Sequence, residues 1–171
     1  MYQVGDMIIY GGEGVCKVEA VGQLDMDGTS RDRMYYTLFP LYREGRIYTP
    51  VDTAVFMRPV ISREEAEELV RSIPDIQAAT CTDRNLRALN EHYQALIRSH
   101  DCGDMIQLIK AAYEKRREKR SQGNKPGQVD ERYMKRAEEL LHGELAVALD
   151  MEREQVADYI ARMVDQAAGE K

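Results

Sequence analysis

The spacing of apolar residues changes near residue 60, from the alternation typical of strands to the three- and four-residue spacing typical of helices. In the first part, short runs rich in β-branched and aromatic residues are separated by glycine-containing turns. The runs predict four or five strands, four of them at residues 7–10, 15–21, 33–39 and 46–49. Short strands joined by tight turns indicate a small, strongly bent sheet or barrel that leaves at least one edge strand unpaired.

Alternation within the second of these strands predicts which side chains face the core. Cys16, Val18 and Ala20 fall on the inner side, whereas Lys17 and Glu19 fall on the outer side. Cys16 is therefore interpreted as a small buried apolar residue.

Three glycines, Gly11, Gly12 and Gly14, separate the first two strands and raise the question of phosphate binding. A phosphate-binding loop needs either a lysine and a hydroxyl residue at its end or a third glycine that opens a helix. The residues after Gly14 alternate like a strand instead. The cluster is therefore predicted to be a tight corner between two strands.

From Ser62 onward the pattern predicts an all-α part with five helices. Ser62 and Glu65 have the spacing of a capping box, and the first helix is predicted to end at Pro74. The loop at 121–128, with two glycines and a proline, separates the third and fourth helices. Asp83 is predicted to cap the second helix, Asp101 or Asp104 the third and Asp130 the fourth, and the last helix is predicted to begin near Asp150. The predicted fold class is α+β, with a β domain at 1–60 and a helical domain at 61–171.

The composition fits a folded protein, since 43% of the 171 residues are hydrophobic and 32% are charged. The longest apolar runs are far shorter than the roughly 20 residues that cross a bilayer. No secretory leader pattern is visible at the N-terminus. The three cysteines include no CxxC pair, which fits a reducing compartment, so a cytoplasmic location without membrane contact is expected.

The charge is distributed unevenly along the chain. The net charge is −6, but residues 110–136 contain ten Lys or Arg against four Asp or Glu, and residues 140–171 contain three against seven. A concentrated basic segment is a candidate surface for the phosphates of nucleic acid. Because no base-reading motif accompanies it, any DNA binding is expected to be weak and sequence-tolerant.

No arrangement of residues indicates an enzyme. His92, His100 and His142 are far apart, and the adjacent residues 100–102 do not easily surround one metal ion. No nucleophile is paired with a base. The protein is therefore expected to have no catalytic residues, no metal, no cofactor and no small-molecule ligand.

Several motifs occur in an order that resembles the CarD/CdnL family of bacterial transcription regulators, whose first domain also occurs in the transcription-repair coupling factor. In the first part they are VGDxxxY at 4–10, VCKVEAV at 15–21, YYTL at 35–38, YTP at 48–50 and RPVIS at 58–62. In the helical part they are CGDM at 102–105, DER at 130–132 and AEELLHGELAVAL at 137–149. The resemblance therefore covers essentially the full chain.

The resemblance implies a Tudor-like or SH3-like barrel that docks on the β subunit of RNA polymerase. The positions that match the family's contact region are Met26 and Asp27 in the turn after the second strand, and Arg46, Ile47 and Tyr48 before Pro50. In relatives a basic residue often stands two places before this proline, where this chain has Tyr48. Arg46 remains on the same side of the strand.

The resemblance also implies that the helical domain contacts promoter DNA and modulates the stability of the open complex. Family members commonly carry a tryptophan that wedges at the melted promoter, but this chain has none. Leu86 is near the corresponding place and is either an apolar wedge or a core residue at the 86/89/93 spacing. The predicted DNA contacts are Leu86, Arg87, Arg116, Arg117, Arg120, Lys125, Arg132 and Arg136.

An alternative interpretation is a polymerase-binding adaptor, whose helical domain binds another protein or a second copy of itself instead of DNA. The missing tryptophan and the acidic C-terminal helix favour this alternative.

Overall fold

The computed structural model describes residues 1–29 and 32–169, with the side chains described through residue 166. The chain divides into two compact units, Met1–Val60 and Ile61–Lys171. Within the described residues, a five-stranded antiparallel sheet precedes five α-helices, which confirms the predicted α+β class.

The strands are joined in one series of antiparallel ladders. They are β1 (Met7–Tyr10), β2 (Gly14–Gly22), β3 (Tyr35–Pro40), β4 (Ile47–Pro50) and β5 (Met57–Pro59), in the spatial order β4-β3-β2-β1-β5. The pattern of the sequence did not single out β5, because it is only three residues long and ends in a proline, which strands disfavour.

The sheet is strongly curved, as predicted. Two strands lie between β1 and β4, so a flat sheet would hold them about 14 Å apart. The hydroxyl of Tyr10 in β1 nevertheless donates to the hydroxyl of Thr49 in β4 at 3.2 Å, and Thr49 is buried. Curvature wraps the strands around a small core whose buried members are Ile8, Cys16, Val18, Tyr36 and Leu38. Closure of the sheet into a complete barrel stays a prediction.

The glycine cluster forms the corner between β1 and β2, which confirms the prediction. Residues 11–13 make one turn of 3-10 helix, and Tyr10 pairs with Gly14 across the hairpin. Gly11 and Gly14 have φ angles of +45° and +82°, which residues with a Cβ rarely adopt. A Cβ on Gly11 would also lie 2.9 Å from Cγ1 of Val55.

A β-bulge interrupts β2. The register against β3 shifts between Val18 and Ala20, so that Glu19 is an extra residue on β2. Cys16 and Val18 are fully buried, as predicted, and burial raises the pKa of the Cys16 thiol to about 11. The prediction that Ala20 faces inward is wrong, because the bulge reverses the alternation and leaves Ala20 exposed.

The second unit contains the helices α1 (Arg63–Ser72), α2 (Leu86–Arg98), α3 (Cys102–Ser121), α4 (Gln128–Leu149) and α5 (Val156–Gly169). The predicted capping box at the start of α1 is confirmed. The hydroxyl of Ser62 accepts from the amide of Glu65 at 3.0 Å, and the carboxylate of Glu65 accepts from the amide of Ser62 at 3.1 Å. Of the two caps predicted for α3, Asp101 is the one observed, since its carboxylate accepts from the amide of residue 104.

Two of the predicted caps are wrong. Asn85, not Asp83, caps α2, because its side-chain oxygen is the one that accepts from the first turn of the helix. Asp130 lies within the first turn of α4, and the residue at the N-cap position is Gly127. The predicted start of the last helix is also wrong, since Asp150 ends α4 with a left-handed φ of +53°.

The core of the helical unit is formed by all five helices. Its buried members are Ala66, Val70, Leu89, Tyr93, Cys102, Met105, Ile106, Leu108, Ala137, Leu141, Leu145, Ala146, Leu149 and Val156. Leu86 is not among them and is 64% exposed, so the interpretation of Leu86 as a core residue is wrong. Among the described residues, no helix is both long enough and apolar enough to cross a membrane.

Candidate interaction surfaces

The first surface is the rim of β4, which forms a ladder only with β3 among the residues described. The amide of Val51 donates to the carbonyl of Met34 at 3.0 Å. Antiparallel alternation then directs the backbone groups of Thr49 towards β3, and the N–H and C=O of Tyr48 away from it. Pro50, the next outward-facing position, has no N–H, as expected of an edge strand. The rim therefore offers the backbone donor and acceptor of Tyr48 to another chain.

The side chains of the rim divide between the two faces of the sheet. Ile47 packs against the core, whereas Tyr48 is 44% exposed. Arg46 is exposed as well, and its Nε donates to the carboxylate of Glu19 at 2.6 Å. The guanidinium carbon of Arg46 lies 4.5 Å from the centroid of the Phe39 ring. Arg46 is therefore held against the outer face of the sheet.

Met26 and Asp27 lie in the turn between β2 and β3. Both are exposed, and the carbonyl of Met26 accepts from the amide and the hydroxyl of Thr29 at 3.2 and 2.7 Å. In the described part of the chain, no hydrogen bond or ion pair connects this turn to Arg46 or Tyr48. The structure thus presents the predicted polymerase contacts as a rim and a separate turn.

The second surface is the basic segment, residues 110–136, and several of its cations are already paired. Both oxygens of Glu131 accept from Arg116 at 2.6 Å, and these bonds raise the pKa of Arg116 and lower the pKa of Glu131. Lys115 lies 3.3 Å from the carboxylate of Asp130. Both pairs join α3 to α4. Arg116 is therefore committed to the packing of the two helices.

The remaining predicted DNA contacts fall into two groups. Arg87 and Arg136 have carboxylate partners on their own helices at 3.3 and 3.5 Å, and Arg132 donates to the side chain of an asparagine in α2 at 3.0 Å. A second group is exposed and, within the part of the chain described, its side chains have no hydrogen bond or ion pair: Arg117, Arg120 and Lys125. This second group is the most accessible positive charge of the segment.

Comparison with known families identifies the sheet unit. Residues 2–61 match the family described as CarD-like/TRCF RID domain. This part of the chain is a CarD-like RID domain. The match includes the β4 rim and the turn at Met26, and it is consistent with the CarD family. A CarD-like RNA polymerase-interacting domain implies a transcription regulator. No curated protein matches the chain.

Outside the RID domain, Leu86 lies beside an open groove of about 750 Å³ between the start of α2 and the loop that joins α3 to α4. The apolar residues Leu89 and Val129 line it together with the cations Lys115 and Lys119. The groove therefore brings the exposed Leu86 near the middle of the basic segment.

Sequence reasoning missed a buried polar cluster next to this groove. Tyr93 is fully buried in α2, and its hydroxyl donates to the buried carboxylate of Asp130. Burial and this hydrogen bond raise the pKa of the Tyr93 hydroxyl well above its ordinary value. Lys115 lies over the same ring, 6.0 Å from its centroid. No local pattern connects a tyrosine with a carboxylate 37 positions later.

A second missed residue, Glu144 of α4, is buried beside the start of the helical unit. One oxygen accepts from the amide of Ile61 at 3.0 Å, and the other accepts from the thiol of Cys102 at 3.2 Å. Glu144 thus fixes the first residue of the helical unit and the first residue of α3. The carboxylate of Asp101 caps α3, and Cys102 is the first residue of that helix.

Proposed function

We propose that this protein is a bacterial transcription regulator whose RID domain docks on the β subunit of RNA polymerase. The observation that carries the proposal is the free rim of β4, with the backbone groups of Tyr48 directed away from the sheet. An edge of this kind binds an extended segment of another protein, because the main chain supplies affinity and the side chains supply specificity.

The docking surface consists of the rim together with the separate turn at Met26. Tyr48 contributes the backbone pairing and an exposed ring, while Arg46 contributes a guanidinium group on the same face. Ile47 supports the rim from the core side. Met26 and Asp27 form a peripheral contact of the same surface.

The helical unit contacts promoter DNA without sequence preference in this proposal. Arg117, Arg120 and Lys125 make the main phosphate contacts, because they are exposed and their side chains have no hydrogen bond or ion pair among the residues described. Arg87, Arg132 and Arg136 contribute less, since each already bonds to a neighbouring side chain. Arg116 reaches a phosphate only if it leaves Glu131, and Leu86 is the exposed apolar residue that would enter the minor groove.

Modulation of the open complex follows from differential affinity. A protein held on polymerase shifts the equilibrium between closed and open promoter only if it binds one form more tightly. The basic segment supplies that difference when the path of upstream DNA past the helices differs between the two forms.

The adaptor remains the second candidate because of one specific observation. Two of the ten cations of the basic segment are neutralised by carboxylates of another helix of the same unit, in the pairs of Lys115 with Asp130 and of Arg116 with Glu131. A surface on which positive groups alternate with such ion pairs is suited to a protein partner or a second copy of the chain as well as to DNA.

The docking proposal is tested by capture of RNA polymerase on the immobilised full-length protein. We expect the variant Arg46→Glu with Tyr48→Ala to lose the polymerase, because it reverses the charge beside the rim and removes the exposed ring. The matched control is Arg43→Glu with Tyr42→Ala, which makes the same changes at two exposed residues between β3 and β4.

The control should retain polymerase at the wild-type level, and both variants should keep the wild-type thermal midpoint. Capture by the rim variant at the wild-type level would show that the rim is not the docking surface. Failure of the wild-type protein to capture polymerase would reject the proposed function itself.

A further inference from the structure

We infer that Glu19 is a positioning residue of the docking surface and that it acts through Arg46. The inference rests on the proposed function, since it concerns the same surface. Glu19 is the extra residue of the β-bulge in β2, two strands away from the rim. The side chain of Glu19 lies on the outer face of the sheet, as it would in a regular strand. Because of the bulge, however, no residue of β3 stands directly opposite Glu19.

Three contacts fix the guanidinium of Arg46. Its Nε donates to Glu19 at 2.6 Å, its Nη1 donates to the carbonyl of Gly45 at 3.2 Å, and its flat face lies over Phe39 at 4.5 Å from the ring centroid. Its Nη2 has no bond to any of the residues described. The guanidinium therefore presents one nitrogen to a docked segment in an orientation that is set before docking.

This arrangement is suited to recognition rather than to stability. Both side chains of the pair are partly exposed, 43% for Arg46 and 35% for Glu19, and ion pairs at such positions add little to the stability of a fold. An arginine that is already ordered loses less rotamer freedom when a partner binds, which favours docking. Glu19 also neutralises Arg46, so the docked segment is selected by hydrogen-bond geometry more than by long-range charge.

The test is a double-mutant cycle measured as the Kd of full-length protein for purified RNA polymerase. We expect Glu19→Gln to weaken binding by about 3- to 10-fold, because the side chain of Arg46 would then have to be ordered when polymerase binds. Arg46→Gln alone and Arg46→Gln with Glu19→Gln should bind equally, because Glu19 acts only through Arg46. The swap of Glu19→Arg with Arg46→Glu rebuilds an ion pair but should not restore binding, whereas a purely structural pair would be rescued by it.

Glu13→Gln is the matched control, because Glu13 forms an equivalent pair with Arg43 at 2.6 Å in the same domain. It should bind polymerase like the wild type. Unchanged or tighter binding by Glu19→Gln would overturn the inference and leave the docking proposal intact. Loss of binding by the wild-type protein and by Glu13→Gln alike would reject the docking proposal, and the inference with it.

Discussion

Replacement of Asp130 by alanine is expected to lower the free energy of unfolding of the helical unit by about 2–4 kcal/mol. Asp130 accepts a hydrogen bond from the fully buried hydroxyl of Tyr93 and forms an ion pair with Lys115. Alanine would leave the hydroxyl without an acceptor in the core and the ammonium group of Lys115 without its carboxylate. Because these three residues belong to α2, α3 and α4, the loss weakens the packing of three helices at once.

The measurement is chemical denaturation followed by the helical circular-dichroism signal, since the chain has no tryptophan to serve as a fluorescent probe. Asp130→Asn should be less destabilising than alanine, because its side-chain oxygen still accepts from Tyr93. Tyr93→Phe with Asp130→Ala should lose less stability than the sum of the single changes, since the orphan hydroxyl is gone. Glu114→Ala, an exposed carboxylate of α3, is the control; a loss for Asp130→Ala as small as that of the control would contradict the buried network.

Neutralisation of Arg117, Arg120 and Lys125 to glutamine is expected to remove most of the binding of promoter-fork DNA at moderate salt. Each phosphate contact adds about 0.9 to the slope of the logarithm of affinity against the logarithm of salt concentration, so the slope should fall by up to about 2.7. Arg116 is omitted from the variant because its loss would also break the bond between α3 and α4. The measurement is a gel-shift titration at several salt concentrations.

A charge-matched control distinguishes the effect of Arg117, Arg120 and Lys125 from the effect of a change in net charge alone. Arg71, Arg98 and Arg162 are exposed residues of α1, α2 and α5, and their replacement by glutamine changes the net charge equally. The control should retain most of the wild-type slope. Equal losses in both triple variants would reject the patch, and no shift of DNA by the wild-type protein at any salt concentration would favour the adaptor.

Local signals were sufficient for much of the fold. Ser62 and Glu65 satisfy each other's backbone within four residues, so the start of α1 was predictable from the sequence. The corner at Gly11 was predictable for the same reason, since only glycine readily takes the backbone angles that it requires. The prediction of the cap of α4 was wrong because a distant residue determines the position of Asp130. Aspartate is a common cap residue, but Asp130 is buried where it accepts a hydrogen bond from Tyr93.

In the candidate site, too, some features follow from the local sequence and others from distant partners. The chain order of motifs was enough to select Arg46, Ile47 and Tyr48 as contact candidates, and Ile47 and Tyr48 lie in the edge strand β4. Which backbone groups of β4 point outward depends on its register against β3, and which residue of β2 has no partner opposite it depends on a bulge between β2 and β3. Strand register and bulges are set by pairing across the sheet, which no single strand encodes. The pairing of Arg116 with Glu131 could not be predicted from the sequence either, because it depends on how α3 packs on α4.

The central claim is that the rim of β4 pairs with a segment of RNA polymerase, and hydrogen–deuterium exchange of the full-length protein with and without polymerase tests it most directly. The account predicts that a peptide covering residues 44–49 gains protection when polymerase is added, because the outward amide of Tyr48 becomes hydrogen-bonded. Peptides covering β5, at the opposite end of the sheet, should be unchanged. Protection confined to β5 or to the helical unit, with β4 exchanging as in the free protein, would contradict the account.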